Sequence, residues 1–277
     1  MKTLFEGLAS VPLWILHAIG TVLGWITYAA SPAYRRRFRA NTRRAGITPQ
    51  AAREAIGAAG RMVIELPALW LRSATQPIGP RLEWEGQQLY RDAHASGRGV
   101  VMLTPHLGCF EVTAQAVAEA FAHEFGDITV LYRPARQPWL RQWMDRSRAR
   151  PGLATAPATL SGVRQMMRAL RQGRAVGLLP DQVPPQGMGV WVPFFGQPAY
   201  TMTLAARLIQ QTHAVPLLIW GERLAFGRGY KVHLSAFPEP LPASDATQAE
   251  SAAIINLAME RLIRQCPQQY LWGYNRY

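Results

Sequence analysis

The stretch VVMLTPHLGCFE, from Val100 to Glu111, decides the fold. Its first four residues are apolar and predict a buried strand that ends at Pro105, because the residue before a proline is driven out of the helical region. Gly108 permits a tight turn, and the helix that follows carries Glu111. Residues five apart on a regular helix point about 140° apart. His106 and Glu111 can therefore meet only if His106 stays in the turn while Glu111 lies on the helix.

The overall composition indicates an anionic partner. The chain has 277 residues, 49% of them hydrophobic and 17% charged, and can bury the core of one large α/β domain or of two lobes. Lys and Arg total 30 against 17 for Asp and Glu, so the formal net charge is +13. Such a surplus favours nucleic acid, an anionic membrane surface, or an acidic substrate or carrier. The two cysteines, Cys109 and Cys266, form no C-x-x-C pair, and we expect free thiols in a reducing compartment.

The N-terminal part predicts a membrane helix. Residues 11–30 carry no acidic or permanently basic side chain and would form a helix of about 30 Å, enough to cross a bilayer core. Trp14 and Trp25 lie towards its ends, where amphipathic rings anchor at the interface. His17 and the glycines weaken the case for a simple span, so a helix lying in one leaflet stays open. The arginine-rich segment 31–44 follows and predicts that the downstream chain is cytoplasmic.

The pattern of breaks predicts three parts. Residues 1–44 form the membrane helix and basic flank, and residues 45–80 form a helical membrane-facing segment that begins at a Thr48-Pro49 cap. Prolines and glycines then mark a boundary, and residues 81–277 form an α/β core. Within this core we predict strands and helices in alternation. The strands are expected near 100–104, 128–132, 175–179, 190–194, 214–220 and 230–236, and the helices near 86–96, 109–122, 137–149, 160–172, 201–212 and 248–265.

Alternating strands and helices of this kind imply βαβ units. The predicted fold class is α/β, with a mixed, mostly parallel sheet flanked by helices and preceded by the N-terminal membrane helix. The six histidines have no metal-ligand spacing, and no G-x-G-x-x-G, P-loop or H-E-x-x-H motif occurs, so we expect neither a metal nor a cofactor. Signatures of nucleic-acid binding are also missing, and we expect no nucleic-acid partner.

His106 is the first candidate for a general base, since an unperturbed imidazole titrates near working pH. Glu111 would accept a hydrogen bond from the other ring nitrogen, fix the tautomer and stabilise the imidazolium. The alternative is a core histidine followed by a glutamate that the helix dipole favours. Cys109, between the two, could be a nucleophile at a helix start, but we favour a small buried thiol.

Three further polar residues follow predicted strands. Arg133 and Arg136 come after the strand near 128–132, and Asp181 comes after the strand near 175–179. Ligands bind at the carboxyl ends of parallel strands, so Asp181 and His106 should share one sheet edge. An arginine there can hold a phosphate or polarise an oxyanion, whereas a loop arginine and an Asx turn are the structural alternatives. Thr201 is predicted to cap the next helix.

Four segments of the chain carry a family resemblance. They are TPHLGCFE at 104–111, LLPDQVPPQG at 178–187, VPFFGQPA at 192–199 and PQQYLWGYNRY at 267–277. Together they resemble the bacterial lipid A biosynthesis lauroyl/myristoyl acyltransferase family, within the wider His-x4-Asp/Glu glycerolipid-type acyltransferases. The resemblance spans nearly the whole chain, and the segments occur in the right order.

This resemblance implies a bacterial inner-membrane enzyme whose active site faces the cytoplasm. Such an enzyme moves a fatty acyl group from acyl carrier protein to a hydroxyl of an acyl chain on an anionic, phosphorylated glucosamine lipid. Carried over by position, His106 and Glu111 become the catalytic pair, and Arg133 and Asp181 become supporting residues. We predict that Arg133, Asp181 and Arg136, which follows the same strand as Arg133, bind substrate.

Other functions stay open on the sequence alone. The acceptor could be another membrane lipid, such as a glycolipid, an amino-acid lipid or a lysophospholipid, and the donor could be acyl-CoA. A thioesterase or lipid hydrolase would use water as acceptor or Cys109 as nucleophile. A non-catalytic, membrane-anchored protein whose basic face binds anionic lipid or nucleic acid is the remaining alternative.

Overall fold

A seven-stranded sheet forms the centre of the protein in a computed structural model, which describes residues 7–74, 76–132, 137, 144, 150–240 and 245–277. Its strand order is β1-β9-β8-β2-β5-β3-β4, and β6 and β7 form a separate antiparallel hairpin. The strands are β1 Leu82–Glu85, β2 Val100–Leu103, β3 Ile128–Tyr132, β4 Leu153–Pro157, β5 Ala175–Leu178, β6 Gly189–Phe194, β7 Gln197–Met202, β8 Val215–Arg223 and β9 Tyr230–Ala236.

The sheet is mixed and mostly parallel, which confirms the predicted fold class. Strands β8, β2, β5, β3 and β4 pair in parallel, β9 pairs antiparallel with β8, and β1 pairs parallel with β9. The helices are α1 Leu13–Ala30, α2 Pro32–Arg44, α3 Pro49–Ile64, α4 Leu66–Trp70, α5 Gln87–Ala95, α6 Phe110–Phe125, α7 Leu160–Arg171, α8 Leu204–Thr212 and α9 Gln248–Gln265.

Helices cover both faces of the sheet. Consecutive side chains of a strand point to opposite sides, so the apolar side chains on each side need helices to bury them. Val100 and Met102 pack with α5 and α6, whereas Val101 and Leu103 pack with α7, α8 and α9. All four residues of β2 are buried, and β2 is the fourth of the seven strands. Strand β2 therefore lies at the centre of the core, and the turn that follows it lies at the middle of the sheet edge where β2 ends.

The sequence prediction missed three strands, β1, β4 and β7. Strands β1 and β4 lie at the two edges of the sheet and are only partly buried, so their apolar pattern is weak. Thr201 lies in β7 instead of capping α8, so the predicted cap was wrong: its Oγ1 accepts hydrogen bonds from Asn256 and Arg276. The Thr48 cap of α3 is confirmed by a hydrogen bond from the Ala51 backbone N–H.

Helix α1 packs closely on α3. A Cβ atom at Gly60 would collide with the carbonyl oxygen of Gly20, so the two backbones approach at a distance that only small residues allow. His17 on the same face lies 3.2 Å from the carboxylate of Glu65, which follows α3. One side of α1 therefore packs against the rest of the protein.

The other side of α1 is apolar and exposed. Within the described part of the chain, α1 is the one helix long and apolar enough to cross a membrane, with a mean hydropathy of 1.4. Its exposed residues include Trp14, Ile19, Val22, Leu23, Trp25 and Ile26. The division at residues 44 and 80 stays a prediction.

Candidate active site

The turn after β2 is built as the sequence predicts, with His106 in the turn and Glu111 in the first turn of α6. Gly108 has φ +58°, and a Cβ atom there would collide with the carbonyl oxygen of Gly221 on β8. The Cys109 N–H donates to that same oxygen at 2.7 Å. Glycine is therefore required at position 108 both by the left-handed backbone and by the close approach of β8.

Asp181 is the carboxylate that binds His106. Because β2 and β5 are parallel neighbours, both residues lie at the same sheet edge, as predicted. The Nδ1 atom of His106 lies 2.8 Å from Oδ1 of Asp181, and the backbone N–H of His106 donates to Oδ2 at 2.9 Å. Asp181 thus fixes both the position and the ring orientation of the histidine.

This contact sets the tautomer of His106. An ionised carboxylate can only accept hydrogen bonds, so Nδ1 carries the proton and Nε2 presents its lone pair. Nε2 lies 2.9 Å from the side-chain Nε2 of Gln182, an amide nitrogen that donates to it. His106 and Gln182 both line a cavity at this edge of the sheet. The basic nitrogen therefore faces a space that a substrate can enter.

Asp181 is held ionised in a buried position. Its side chain is 2% exposed, and it also accepts a hydrogen bond from the Tyr270 hydroxyl at 3.1 Å. Burial raises the pKa of Asp181, but the electrostatic attraction of His106 and the hydrogen bonds from His106 and Tyr270 outweigh it, and the pKa falls below its usual value. Gln182 and Tyr270 were missed by the sequence analysis because neither stands out by residue type.

Glu111 faces the same cavity through a different set of contacts. Its Oε2 accepts a hydrogen bond from the indole N–H of Trp70 at 3.2 Å, and Glu111, Trp70 and His106 all line the cavity. The Nδ1 hydrogen bond that the sequence analysis assigned to Glu111 is made by Asp181. The catalytic role of Glu111 stays a prediction.

Two other predicted site residues, Arg133 and Arg136, lie outside the described residues. Cys109 is 1% exposed, and burial together with the nearby Glu65 charge raises the pKa of its thiol well above the usual value. A buried, protonated thiol is a poor nucleophile, which favours the packing role for Cys109 over the catalytic one.

The cavity has a volume of about 730 Å³, within the range of small-molecule sites. His106, Glu111 and Gln182 provide polar groups, and the remaining lining is mostly apolar. Gly177 on β5 lies in register between Met102 on β2 and Val130 on β3. Because Gly177 has no side chain, the cavity can extend along this face of the sheet.

A buried ion pair stabilises the turn that carries His106. Glu65 is fully buried and accepts hydrogen bonds from Nε of Arg223 at 2.8 Å and from the Tyr230 hydroxyl at 3.3 Å. Arg223 in turn donates through Nη2 to the Gly108 carbonyl oxygen at 2.5 Å. Since Glu65 also contacts His17, one network connects α1 to the turn that carries the histidine.

We expect Glu65→Ala to lower the free energy of unfolding by about 3–5 kcal/mol, because Arg223 would be left buried without its partner. Burial raises the pKa of Glu65, but the Arg223 charge and the hydrogen bonds lower it more, so its pKa in the folded protein lies below the usual value. This stabilisation should be complete at neutral pH and be lost as the pH falls through the folded pKa. Chemical denaturation measures it, with the exposed Glu83→Ala as control; equal losses in both variants would contradict the assignment.

The family comparison covers almost the entire sequence. Residues 3–277 match a family model described as "Bacterial lipid A biosynthesis acyltransferase".

Curated relatives agree with this match. The chain is 28% identical to "Lipid A biosynthesis lauroyltransferase" of Escherichia coli (strain K12) over 196 residues, which cover 69% of this chain and 60% of that protein. It is 26% identical over 194 residues to "Lipid A biosynthesis palmitoleoyltransferase" of the same strain, covering 70% of this chain and 60% of that protein. The aligned region thus spans about 60% of the length of these relatives.

Proposed function

Because the chain belongs to the bacterial lipid A biosynthesis acyltransferase family, we propose that it transfers a fatty acyl group from acyl carrier protein to a hydroxyl of a lipid A precursor. The observation that carries this proposal is the position of His106. Its protonated Nδ1 is fixed by a buried carboxylate, and its basic Nε2 faces a large, mostly apolar cavity.

In the proposed reaction, Nε2 of His106 takes the proton of the acceptor hydroxyl, which replaces the Gln182 amide as its partner. The hydroxyl oxygen attacks the thioester carbonyl, and the C–S bond breaks as the ester C–O bond forms. The proton on Nε2 then passes to the departing thiolate, which leaves as a thiol and returns His106 to its starting state.

Two carboxylates have separate roles in this mechanism. Asp181 positions His106 through Nδ1 and stabilises the imidazolium as it forms. Glu111, at the same cavity, adds a second negative charge that favours the imidazolium. The apolar lining holds the acyl chain and excludes water from the thioester.

The N-terminal helices support the proposal that the protein associates with the membrane. The exposed face of α1 would insert into lipid, and the arginines of α2 would lie among anionic head groups at the inner membrane. By the positive-inside rule, the active site would lie on the cytoplasmic side, where acyl carrier protein would reach it. The net charge of +13 favours this acidic carrier as a partner.

Mass spectrometry of membrane lipids from cells with and without the protein tests the proposed function. We expect a lipid A species that is heavier by one ester-linked acyl group only in cells that make the protein. Acylation of a different lipid class, or identical lipid profiles, would contradict it.

Gly177 should determine the length of the acyl chain. A Cβ atom there would lie 3.2 Å from Cγ1 of Val130, so a larger side chain must occupy cavity space. Each CH₂ group of the acyl chain that no longer fits in the cavity loses about 0.8 kcal/mol of binding free energy. We expect Gly177→Leu to lower kcat/KM for the longest accepted chain by roughly 10–100-fold while short chains change little.

A series of saturated acyl thioesters measures this effect. Val130→Ala, on the neighbouring strand, should shift the preference towards longer chains because it removes volume from the same wall. An equal loss for every chain length in Gly177→Leu would show that the cavity does not hold the acyl chain.

A further inference from the structure

A second cavity, of about 350 Å³, lies between helix α2 and the C-terminal segment 274–277. Its charged lining consists of Arg36, Arg37 and Arg44 on α2 and Arg276 on the C-terminal segment, and no acidic side chain among the described residues lines it. The Asn41 amide connects the two walls by donating to the backbone carbonyls of residues 272 and 274, at 2.8 and 3.0 Å. The cavity is therefore a fixed feature of the fold.

The arginines of this cavity lack anionic partners. Within the residues that the structure describes, none of the four guanidinium groups lies within 4.0 Å of a carboxylate. Arg276 is 3% exposed, and its buried Nε has no acceptor among the described residues. Its Nη1 and Nη2 atoms donate to the Tyr200 carbonyl oxygen and to Thr201 Oγ1, and burial lowers the pKa of its guanidinium group. Four arginines that make no ion pair with a described carboxylate surround one cavity, and such a cluster attracts a compact anion.

This cavity adjoins the catalytic one. Tyr274 lines the arginine cavity, and its hydroxyl accepts a hydrogen bond from the Val183 backbone N–H at 3.1 Å. Val183 and its neighbour Gln182 line the catalytic cavity, where Gln182 contacts His106. The hydrogen bond between Val183 and Tyr274 thus connects the linings of the two cavities.

The position of α2 favours a lipid as the source of the anion. Helix α2 begins two residues after α1, whose exposed face is apolar. Arginines directly beyond such a helix lie at the depth of lipid phosphates. A planar guanidinium binds phosphate through two parallel hydrogen bonds.

We propose that Arg36, Arg37, Arg44 and Arg276 form a phosphate-binding subsite, which holds a phosphate of the acceptor lipid while the lipid hydroxyl lies at His106. This assignment rests on the proposed function. It explains why a cavity that no described acidic side chain lines lies beside the catalytic one, and it makes the acceptor's phosphate a determinant of recognition.

Equilibrium binding of a phosphorylated glucosamine lipid and of its dephosphorylated analogue in detergent micelles tests the subsite without requiring turnover. Arg36→Gln/Arg37→Gln should weaken binding of the phosphorylated lipid by about 10–100-fold, since hydrogen bonds to charged groups are lost. Binding of the dephosphorylated analogue should not change. Arg39→Gln/Arg43→Gln is the matched control, because it removes two charges from the same helix at positions that do not line the cavity.

Three results would overturn the subsite. They are equal affinity of wild type for the two lipids, equal weakening in both double variants, and complete displacement of the lipid by micromolar inorganic phosphate, which would make free phosphate the ligand. A failure of the proposed function would give a different experimental result from a failure of the subsite. Phosphate-dependent binding without acyl transfer would leave the subsite standing and refute the transferase.

Discussion

His106→Ala should lower the rate of acyl transfer by about 10²–10⁴-fold, the loss typical of a removed general base. The alanine removes Nε2, the atom that takes the hydroxyl proton, and leaves the apolar cavity in place. The thioester should therefore still bind with nearly the same KM, and the loss should appear in kcat. Steady-state kinetics with a labelled acyl thioester and a lipid acceptor measures both constants.

His123→Ala is the control for this variant. His123 lies on α6 with its side chain 70% exposed, and it does not line the cavity. We expect wild-type kinetics from it. Full activity in His106→Ala would refute the mechanism.

Asp181→Asn should cost about 10²–10⁴-fold in kcat, as expected for loss of the group that orients a catalytic histidine. The carboxamide keeps the shape of the aspartate but can donate its N–H to Nδ1. The imidazole would then carry its proton on Nε2, which faces the substrate and could no longer act as a base. KM should change little, because Asp181 is buried behind the histidine.

Glu111→Gln is the informative comparison. Since Asp181 makes the Nδ1 hydrogen bond, its substitution should cost more than that of Glu111. A larger loss in Glu111→Gln, with near-normal activity in Asp181→Asn, would identify Glu111 as the orienting partner of His106.

Local features of the active-site turn could be predicted from the sequence. The apolar run before Pro105 and the glycine at 108 indicated the strand and the turn, and the alternation of strands and helices indicated that His106 and Asp181 share a sheet edge. These predictions succeeded because strand length, proline and glycine act over a few residues.

The partners of His106 could not be predicted because they depend on tertiary packing. The Asp181 carboxylate lies 75 residues away in sequence, and Tyr270 approaches Asp181 from a further 89 residues along the chain. Which of two carboxylates reaches Nδ1 depends on the angle at which α6 leaves the turn. The five-residue spacing between His106 and Glu111 does not determine that angle.

The contacts of the N-terminal helix also could not be predicted from the sequence, because they depend on tertiary packing. His17 looks like a polar interruption of an apolar span, yet it contacts Glu65, 48 residues later, in the network that reaches the catalytic turn. The sequence therefore indicated a membrane helix but not the face that binds protein.

The most direct test of the central claim uses purified protein, acyl carrier protein loaded with a labelled fatty acid, and a lipid A precursor with a free hydroxyl. The account predicts that the label appears as an ester on the lipid, one per precursor, and that His106→Ala forms this product about 10²–10⁴-fold more slowly. Release of the label as free fatty acid at the same rate with and without the lipid would contradict it and identify a thioesterase.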